Sequence, residues 1–172
     1  MNSNEFNNRI ISLSPRIYPM VARLIGNEDE AADAVQEIMI RLWKSRAKLE
    51  KHPNPEGFAF LTARNYCMDL LKRRSPFLSD LSRVESVRTG TTGGEELEGD
   101  ELLSIVNGII NELAVNQRDI VLMRDIDGLE FEEIAAVTGI KIENIRVLLS
   151  RARRKIGARL NEIYNYEYGT VR

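Results

Sequence analysis

The sequence predicts an all-α protein made of two small helical domains joined by a flexible acidic linker. Three observations carry this. Five prolines stand at 15, 19, 53, 55 and 76, which leaves long stretches free of helix breakers. Apolar residues recur at helical spacing, and no apolar alternation is long enough for a sheet. The charge is also uneven. Residues 1–74 carry a net of +3, residues 75–101 a net of -5, and residues 102–172 balance at ten basic and ten acidic side chains. The middle tract holds Ser75-Pro76, the run Thr89-Gly90-Thr91-Thr92-Gly93-Gly94, and the acids Glu95, Glu96, Glu98, Asp100 and Glu101. Gly and Thr offer no packing period and like charges repel, so 75–101 reads as the linker between domains at 1–74 and 102–172.

In the first domain Asn27 starts a helix by accepting a first-turn N–H, with Glu30 placed to reach back. Ala31, Val35, Ile38 and Leu42 follow at core spacing, while Gln36, Ile40 and Trp43 form a neighbouring stripe, so the helix is apolar over more than one face. It fades after Lys48, and Lys51-His52-Pro53-Asn54 is a loop with His52 exposed. Asn54 caps the next helix and Pro55 opens it. That helix buries Phe60, Ala63, Cys67, Leu70 and Leu71. It shows Thr62, Asn65, Tyr66, Asp69, Lys72 and Arg73 on its other side, and ends before Ser75-Pro76.

In the second domain Leu102–Leu113 is one helix. Asn116 caps another that runs to about Ile126 and ends at Asp127-Gly128. Phe131–Thr138 is a short helix, Gly139-Ile140-Lys141 a tight connection, and a long helix follows from about Ile142. Its Ile145, Leu149, Ala152, Ile156, Leu160 and Ile163 make one apolar stripe. Each domain alone is short enough that its core is small, and it gains stability from partners.

Composition narrows the function. One Cys and one His exclude a disulfide framework, a Cys-rich zinc site and most histidine chemistry. No catalytic constellation, phosphate-binding loop or dinucleotide fingerprint is present. Cys67 reads as a small buried thiol. No metal, cofactor or small-molecule substrate is expected. The start lacks a basic leader and no apolar run reaches membrane-spanning length, so no membrane insertion is expected and the chain reads as intracellular.

Short helix, glycine turn and longer helix make a helix-turn-helix pattern. Ile134 and Ala135 pack inward, and the long helix turns Asn144, Arg146, Val147, Ser150, Arg151 and Arg154 outward. From Arg146 to Arg159 there are six basic residues and no acid. Such a face suits a major groove and its phosphates; the alternative is a solvated helix surface. Lys72-Arg73-Arg74 forms a second basic region beside Asn65 and Tyr66, where an aromatic ring can stack on an unpaired base. The helix macrodipole explains those three cations equally well.

Taken together, from about Phe6 to Leu160, the chain resembles the extracytoplasmic-function (ECF) group of bacterial RNA polymerase sigma factors. The tract 32–43, ending in Trp43, looks like that family's region 2.2; Phe60 to Arg74 looks like regions 2.3 and 2.4; Gly128 to Ala135 and Ser150-Arg151-Ala152-Arg153 look like region 4. The resemblance implies a cytoplasmic bacterial protein that is not an enzyme. It would bind core RNA polymerase at its β′ coiled coil and β flap, recognise the −10 and −35 elements of promoter DNA, and help open the promoter. An anti-sigma factor holds many members inactive. The implied polymerase-binding residues are Asp33, Gln36, Glu37, Ile40, Arg41 and Trp43. Those at the −10 element are Asn54, Arg64, Asn65, Tyr66, Lys72, Arg73 and Arg74, with the loop at 48–56 receiving an extruded base. Those at the −35 element are Lys141, Asn144, Arg146, Val147, Ser150, Arg151, Arg154 and Lys155. Phe58, Glu130, Val147 and Leu148 depart from the common pattern, and Val147 is positioned to touch a thymine methyl. The acidic linker is expected to occupy nucleic-acid space. A stand-alone helix-turn-helix regulator and a purely protein-binding helical module are the alternatives.

Overall fold

The computed structural model describes residues 1–75 and 97–168. The described residues form helices connected by short turns: α1 (Ser3–Arg9), a 3-10 turn (Ile11–Leu13), α2 (Ser14–Ile25), α3 (Glu28–Lys44), α4 (Arg46–Lys51), α5 (Pro55–Arg74), α6 (Leu97–Glu112), α7 (Val115–Val121), α8 (Phe131–Thr138) and α9 (Ile142–Tyr168). A π-helical turn, Leu122–Ile126, continues α7. Residues 76–96, the glycine-rich part of the expected linker, lie outside the described residues, and with them most of the expectation that the acidic linker occupies nucleic-acid space.

Local chemistry sets most boundaries. Asn27 caps α3 by accepting the Glu30 N–H at 3.0 Å. Glu30 does not reach back: its carboxylate takes the Arg74 guanidinium at 2.7 Å, because a charged partner outcompetes a backbone amide. Asn54 caps α5 by accepting the Gly57 N–H at 2.8 Å, with Pro55 in the first turn. Gly128 and Gly139 take φ of 74° and 73°, the left-handed conformation that lets α7 and α8 end abruptly.

Several expectations need correction. The helix expected to fade after Lys48 stops at Lys44, turns at Ser45, and restarts as α4, which runs through Lys51. The break lets Leu49 fold back to complete burial. Asn116 is not a cap; Ala114 holds that position without a side-chain bond, and Asn116 lies within α7. The helix expected from Leu102 begins at Leu97. Leu71, Leu160 and Ile163 are half-buried rather than core, while Leu70, Ala135 and Ile156 are half-buried but pack against the core. His52 is half-buried too, its ring 5.1 Å from that of Phe58. α2 runs on through Pro19, although that residue removes one helix hydrogen bond.

The two halves meet directly. They share one hydrophobic core and pack directly on each other, α8 lying along α5. α5 also touches α2 and α3, so it is enclosed from several directions. Pro55, Gly57, Ala59, Phe60, Ala63, Cys67 and Met68 are all buried along it. The stabilising partner that each small half lacked is the other half.

Ionic contacts fasten this seam. Arg23 of α2 donates from Nε and Nη2 to both oxygens of Asp127, at 2.7–3.1 Å. The Asp127 side chain is 0% exposed and that of Arg23 10%. Arg16, also on α2, pairs with Glu133 of α8 at 2.8 Å. A buried carboxylate deprived of such a partner costs about 3–5 kcal/mol.

The seam is also tight. A Cβ added at Gly57 would meet the Ala136 Cβ at 2.6 Å and the Asn54 amide at 2.5 Å. Gly57→Ala is therefore expected to lower stability by about 1–3 kcal/mol through overpacking, despite alanine's better helix propensity. The midpoint of urea unfolding measures this, and an unchanged or raised midpoint would contradict the packing.

Candidate functional site

The second half carries a helix-turn-helix: α8, the Gly139 turn, and α9. Ile134, Ile145 and Leu149 are buried at its crossing and hold α9 in place. This turns Asn144, Arg146, Val147, Ser150, Arg151, Arg154 and Lys155 to solvent on one helix, with Lys141 exposed just before it. Val147 is 45% exposed, an apolar residue amid cations. The six basic residues of α9 divide into three sets. Arg153 pairs with Asp125, and Arg159 with Glu112 and Glu162, so these two tie α9 to its own half and to itself. Arg151, Arg154 and Lys155 make no ion pair among the described residues and face outward together.

Arg146 is held by an aromatic face: its guanidinium carbon lies 5.2 Å from the centre of the Phe131 ring, and that of Arg124 lies 4.8 Å from the same ring. Arg124 also donates to the Leu129 carbonyl at 2.6 Å and to Glu130 at 2.9 Å, joining the end of α7 to the start of α8. Sequence reasoning missed Arg124 and Phe131 as supports of this face. An aromatic at the first position of a helix-turn-helix was the available signal.

In the first half, the residues expected to bind polymerase divide between two grooves flanking α3. Ile40 and Trp43 join Ser3, Phe6, Asn7, Ile11 and Met39 around an apolar groove of about 310 Å³. Ile40 is 47% exposed, whereas the Trp43 ring is half-buried, edge-on to Phe6 at 5.0 Å and under the Arg46 guanidinium at 4.4 Å. Phe6 and Ile11 were missed, because the pairing of α1 with α3 is not local in sequence. Asp33, Glu37 and Arg41 line a second groove of about 430 Å³, between α3 and α5. Gln36 is exposed and lines neither groove.

The second groove brings the two expected sets together. Tyr66, Arg73 and Arg74 line its far wall. Arg41 accepts no fixed role on one side alone: it pairs with Glu37 at 3.1 Å and lies over the Tyr66 ring at 4.6 Å. Asn65 and Lys72 are exposed nearby. Asn54 and Arg64 are not part of this grouping. They sit at the seam, where Asn54 Nδ2 donates to the Glu132 carbonyl at 3.4 Å and Arg64 approaches Asp119 at 3.9 Å. Position 64 lies about 200° around the helix from position 66, so it faces the other half.

Comparison with known proteins places both halves. The family model for sigma-70 region 2 matches residues 10–77, and that for sigma-70 region 4 matches residues 104–156. The two matches, in this order, take in most of the chain.

The chain belongs to the sigma-70 family.

Curated relatives of this sigma-70 chain carry ECF names. ECF RNA polymerase sigma factor SigE of Mycolicibacterium smegmatis is 27% identical over 144 residues, covering 82% of this chain and 56% of its own. This chain thus spans little more than half the length of that relative. EcfG of Rhodopseudomonas palustris is 26% identical, covering 88% of this chain and 82% of its own. The sigma-E factor of Escherichia coli K12 is 27% identical, covering 88% and 84%. Among solved structures, the sigma factor RpoE in complex with the anti-sigma factor NepR, from Bartonella quintana, superposes with a TM-score of 0.60 at 22% identity, over 92% of this chain and 98% of that one. CnrH in complex with the cytosolic domain of CnrY gives 0.56 at 20% identity, over 94% and 90%. These two likenesses establish a shared fold. Among the described residues no helix is long and apolar enough to cross a membrane, and no group of three or more His, Cys, Asp or Glu could hold a metal ion.

Cys67 of region 2 is fully buried, and burial pushes its thiol up to about 12. At pH 8 its thiolate fraction is smaller than that of an ordinary thiol by about a thousandfold. The folded protein should therefore resist iodoacetamide at pH 8 and take up one equivalent in urea, as mass spectrometry would record. Rapid alkylation without denaturant would show the α5 core to be open.

Proposed function

We propose that the protein is an ECF-type sigma factor of the bacterial cytoplasm. It binds core RNA polymerase, recognises promoter −10 and −35 elements and supports promoter opening, without being an enzyme itself. The observation that carries this reading is the pairing of a region 2 match on α2–α5 with a region 4 helix-turn-helix whose cations point outward from α9.

The division of labour follows the two units. The unit at 1–74 meets polymerase and the −10 element. Asp33, Gln36, Glu37, Ile40, Arg41 and Trp43 engage the β′ coiled coil, because α3 offers an apolar and a charged groove side by side. Tyr66 supplies a stacking face to an unpaired base, and Asn65, Lys72, Arg73 and Arg74 follow the strand. Extruding a base costs a few kcal/mol, which contacts around the 52–54 loop and Asn54 offset. The unit at 102–172 enters the −35 major groove with α9 and meets the β flap. Arg146, Val147, Ser150 and Arg151 read base edges, while Lys141, Asn144, Arg154 and Lys155 meet phosphates. The solved sigma factor RpoE, named in complex with the anti-sigma factor NepR, supports an anti-sigma factor as a further partner.

The whole-chain charge of -2 fits this division. Phosphate neutralisation dominates unassisted DNA affinity, and a weakly acidic chain has little of it. In a duplex-binding assay the protein should bind promoter DNA weakly alone and open it only with core polymerase. Tight sequence-specific binding without polymerase would favour a stand-alone regulator. Arg151→Ala should weaken promoter-dependent transcription by about tenfold or more, the loss of one good base contact, while co-elution with core polymerase stays intact. Loss of both together would remove Arg151 from the −35 face.

A further inference from the structure

Among the basic residues of α9, Arg146 is the one held, among the described residues, by an aromatic ring instead of a carboxylate. Its guanidinium carbon lies 5.2 Å from the centre of the Phe131 ring, within reach of the attraction between a cation and the ring's negative face. That attraction spends none of the arginine's N–H donors. Arg146 is thus restrained while its hydrogen-bonding edge stays available. Arg153 is restrained by Asp125 but spends its donors on it, and Arg151 has its donors available but nothing that restrains it among the described residues.

Phe131 is itself fixed. It is the first residue of α8, half-buried and packed against the core. Arg124 approaches the same ring to 4.8 Å, and it is anchored by its bonds to the Leu129 carbonyl and to Glu130. Contacts therefore run without a gap from the π-helical turn through Arg124 and Phe131 to Arg146. Asp125, the next residue of that turn, takes Arg153. Positions 146 and 153 are seven apart, about two helical turns, so they share one side of α9. Two successive residues of the turn govern that side at two heights.

That side is not the middle of the outward face. Val147, Arg151 and Arg154 follow one another at spacings of four and three, and position 146 stands about 100° round from position 147. An arginine in the middle of the face meets a groove by virtue of where its Cα stands. One at the edge meets it only when its side chain is aimed. Guanine presents O6 and N7 as a fixed pair of acceptors that match the arginine fork. Reading that pair requires the plane of the fork to be set, and a side chain set in advance loses less freedom on binding.

We propose that Phe131, steadied by Arg124, is a positioning residue for sequence specificity: it aims Arg146 at one guanine of the −35 element, so that preference at that base pair depends on the ring. The inference rests on the sigma reading above for the identity of the DNA.

The test is a binding selection with the full chain and core RNA polymerase on promoter-length duplexes randomised over the −35 element. Sequencing the bound pool gives the best-to-worst base ratio at each position. The wild type should enrich a G·C pair at a position where Arg146→Ala lowers that ratio by about tenfold. Phe131→Leu should lower the ratio at the same position by about two- to fivefold and leave the other positions as they were. Phe131→Tyr, which restores a ring, should recover it. In an Arg146→Ala background Phe131→Leu should change nothing further, because the ring acts only through that side chain. A folded Phe131→Leu with the wild-type pattern, with a loss spread over all positions, or with the same loss in the Arg146→Ala background would overturn the proposal. If circular dichroism showed Phe131→Leu to be unfolded, Phe131→Met, which fills the site with a flexible apolar chain, would decide by the same criteria. Selection by the chain without core polymerase, with the same dependence on Phe131, would keep the positioning role and sink the sigma reading. No selected sequence in either condition would overturn both.

Discussion

A carboxylate with no water around it must find a cation, and Asp127 finds Arg23. Much of the architecture follows from that pairing. It docks the end of the α7 segment on α2 and brings α8 down on α5, which in turn requires that position 57 carry no side chain. Glu133 repeats the arrangement one turn into α8. It serves twice, bonding Arg16 while its Oε2 accepts the Glu130 N–H at 2.7 Å. The cap of α8 and the junction between the halves therefore share one side chain, so the helix-turn-helix is shaped in part by region 2.

Function is distributed along helices that each look in two directions. α3 presents an apolar groove shared with α1 and a charged groove shared with α5. Arg41 stands in the second, bound to Glu37 and covering the Tyr66 ring. On the proposed function, the surface offered to polymerase and the surface offered to an unpaired base thus share one side chain. Movement of Arg41 toward a protein partner would then uncover the Tyr66 ring.

The sequence was most legible where a rule is local. The Asn27 and Asn54 caps, the bounds of α8 and the Gly139 turn each depend on residues within one helical turn, and all stand as read. The outward set on α9 was legible for the same reason, because one apolar stripe fixes the opposite face. α1 and α2 went unread, since Pro15 and Pro19 mask a helix that burial of Ile17, Met20, Val21 and Leu24 supports. α5 was half-read. A helix enclosed from several directions loses the one-sided pattern that signals amphipathicity, so Gly57, Ala59 and Met68 gave no sign of burial. Arg64, which the resemblance groups with Asn65 and Tyr66, faces Asp119 of the other half at 3.9 Å, a contact no local pattern signals. The seam itself was invisible. Arg23 and Asp127 stand 104 residues apart, and nothing local tells a paired arginine from a solvated one.

The π-helical turn at Leu122–Ile126 closes with a bond from the Asp127 N–H to the Leu122 carbonyl at 2.9 Å, one residue wider than an α-helical turn. Each residue added to a helix rotates everything after it by about 100°. Asp127 therefore points at Arg23 because of how many residues precede it, not only because it is an aspartate. The junction is written in chain length as well as in side chains. A related protein that kept both charged residues but lost one residue from this turn would align well by identity and still present its carboxylate to open water.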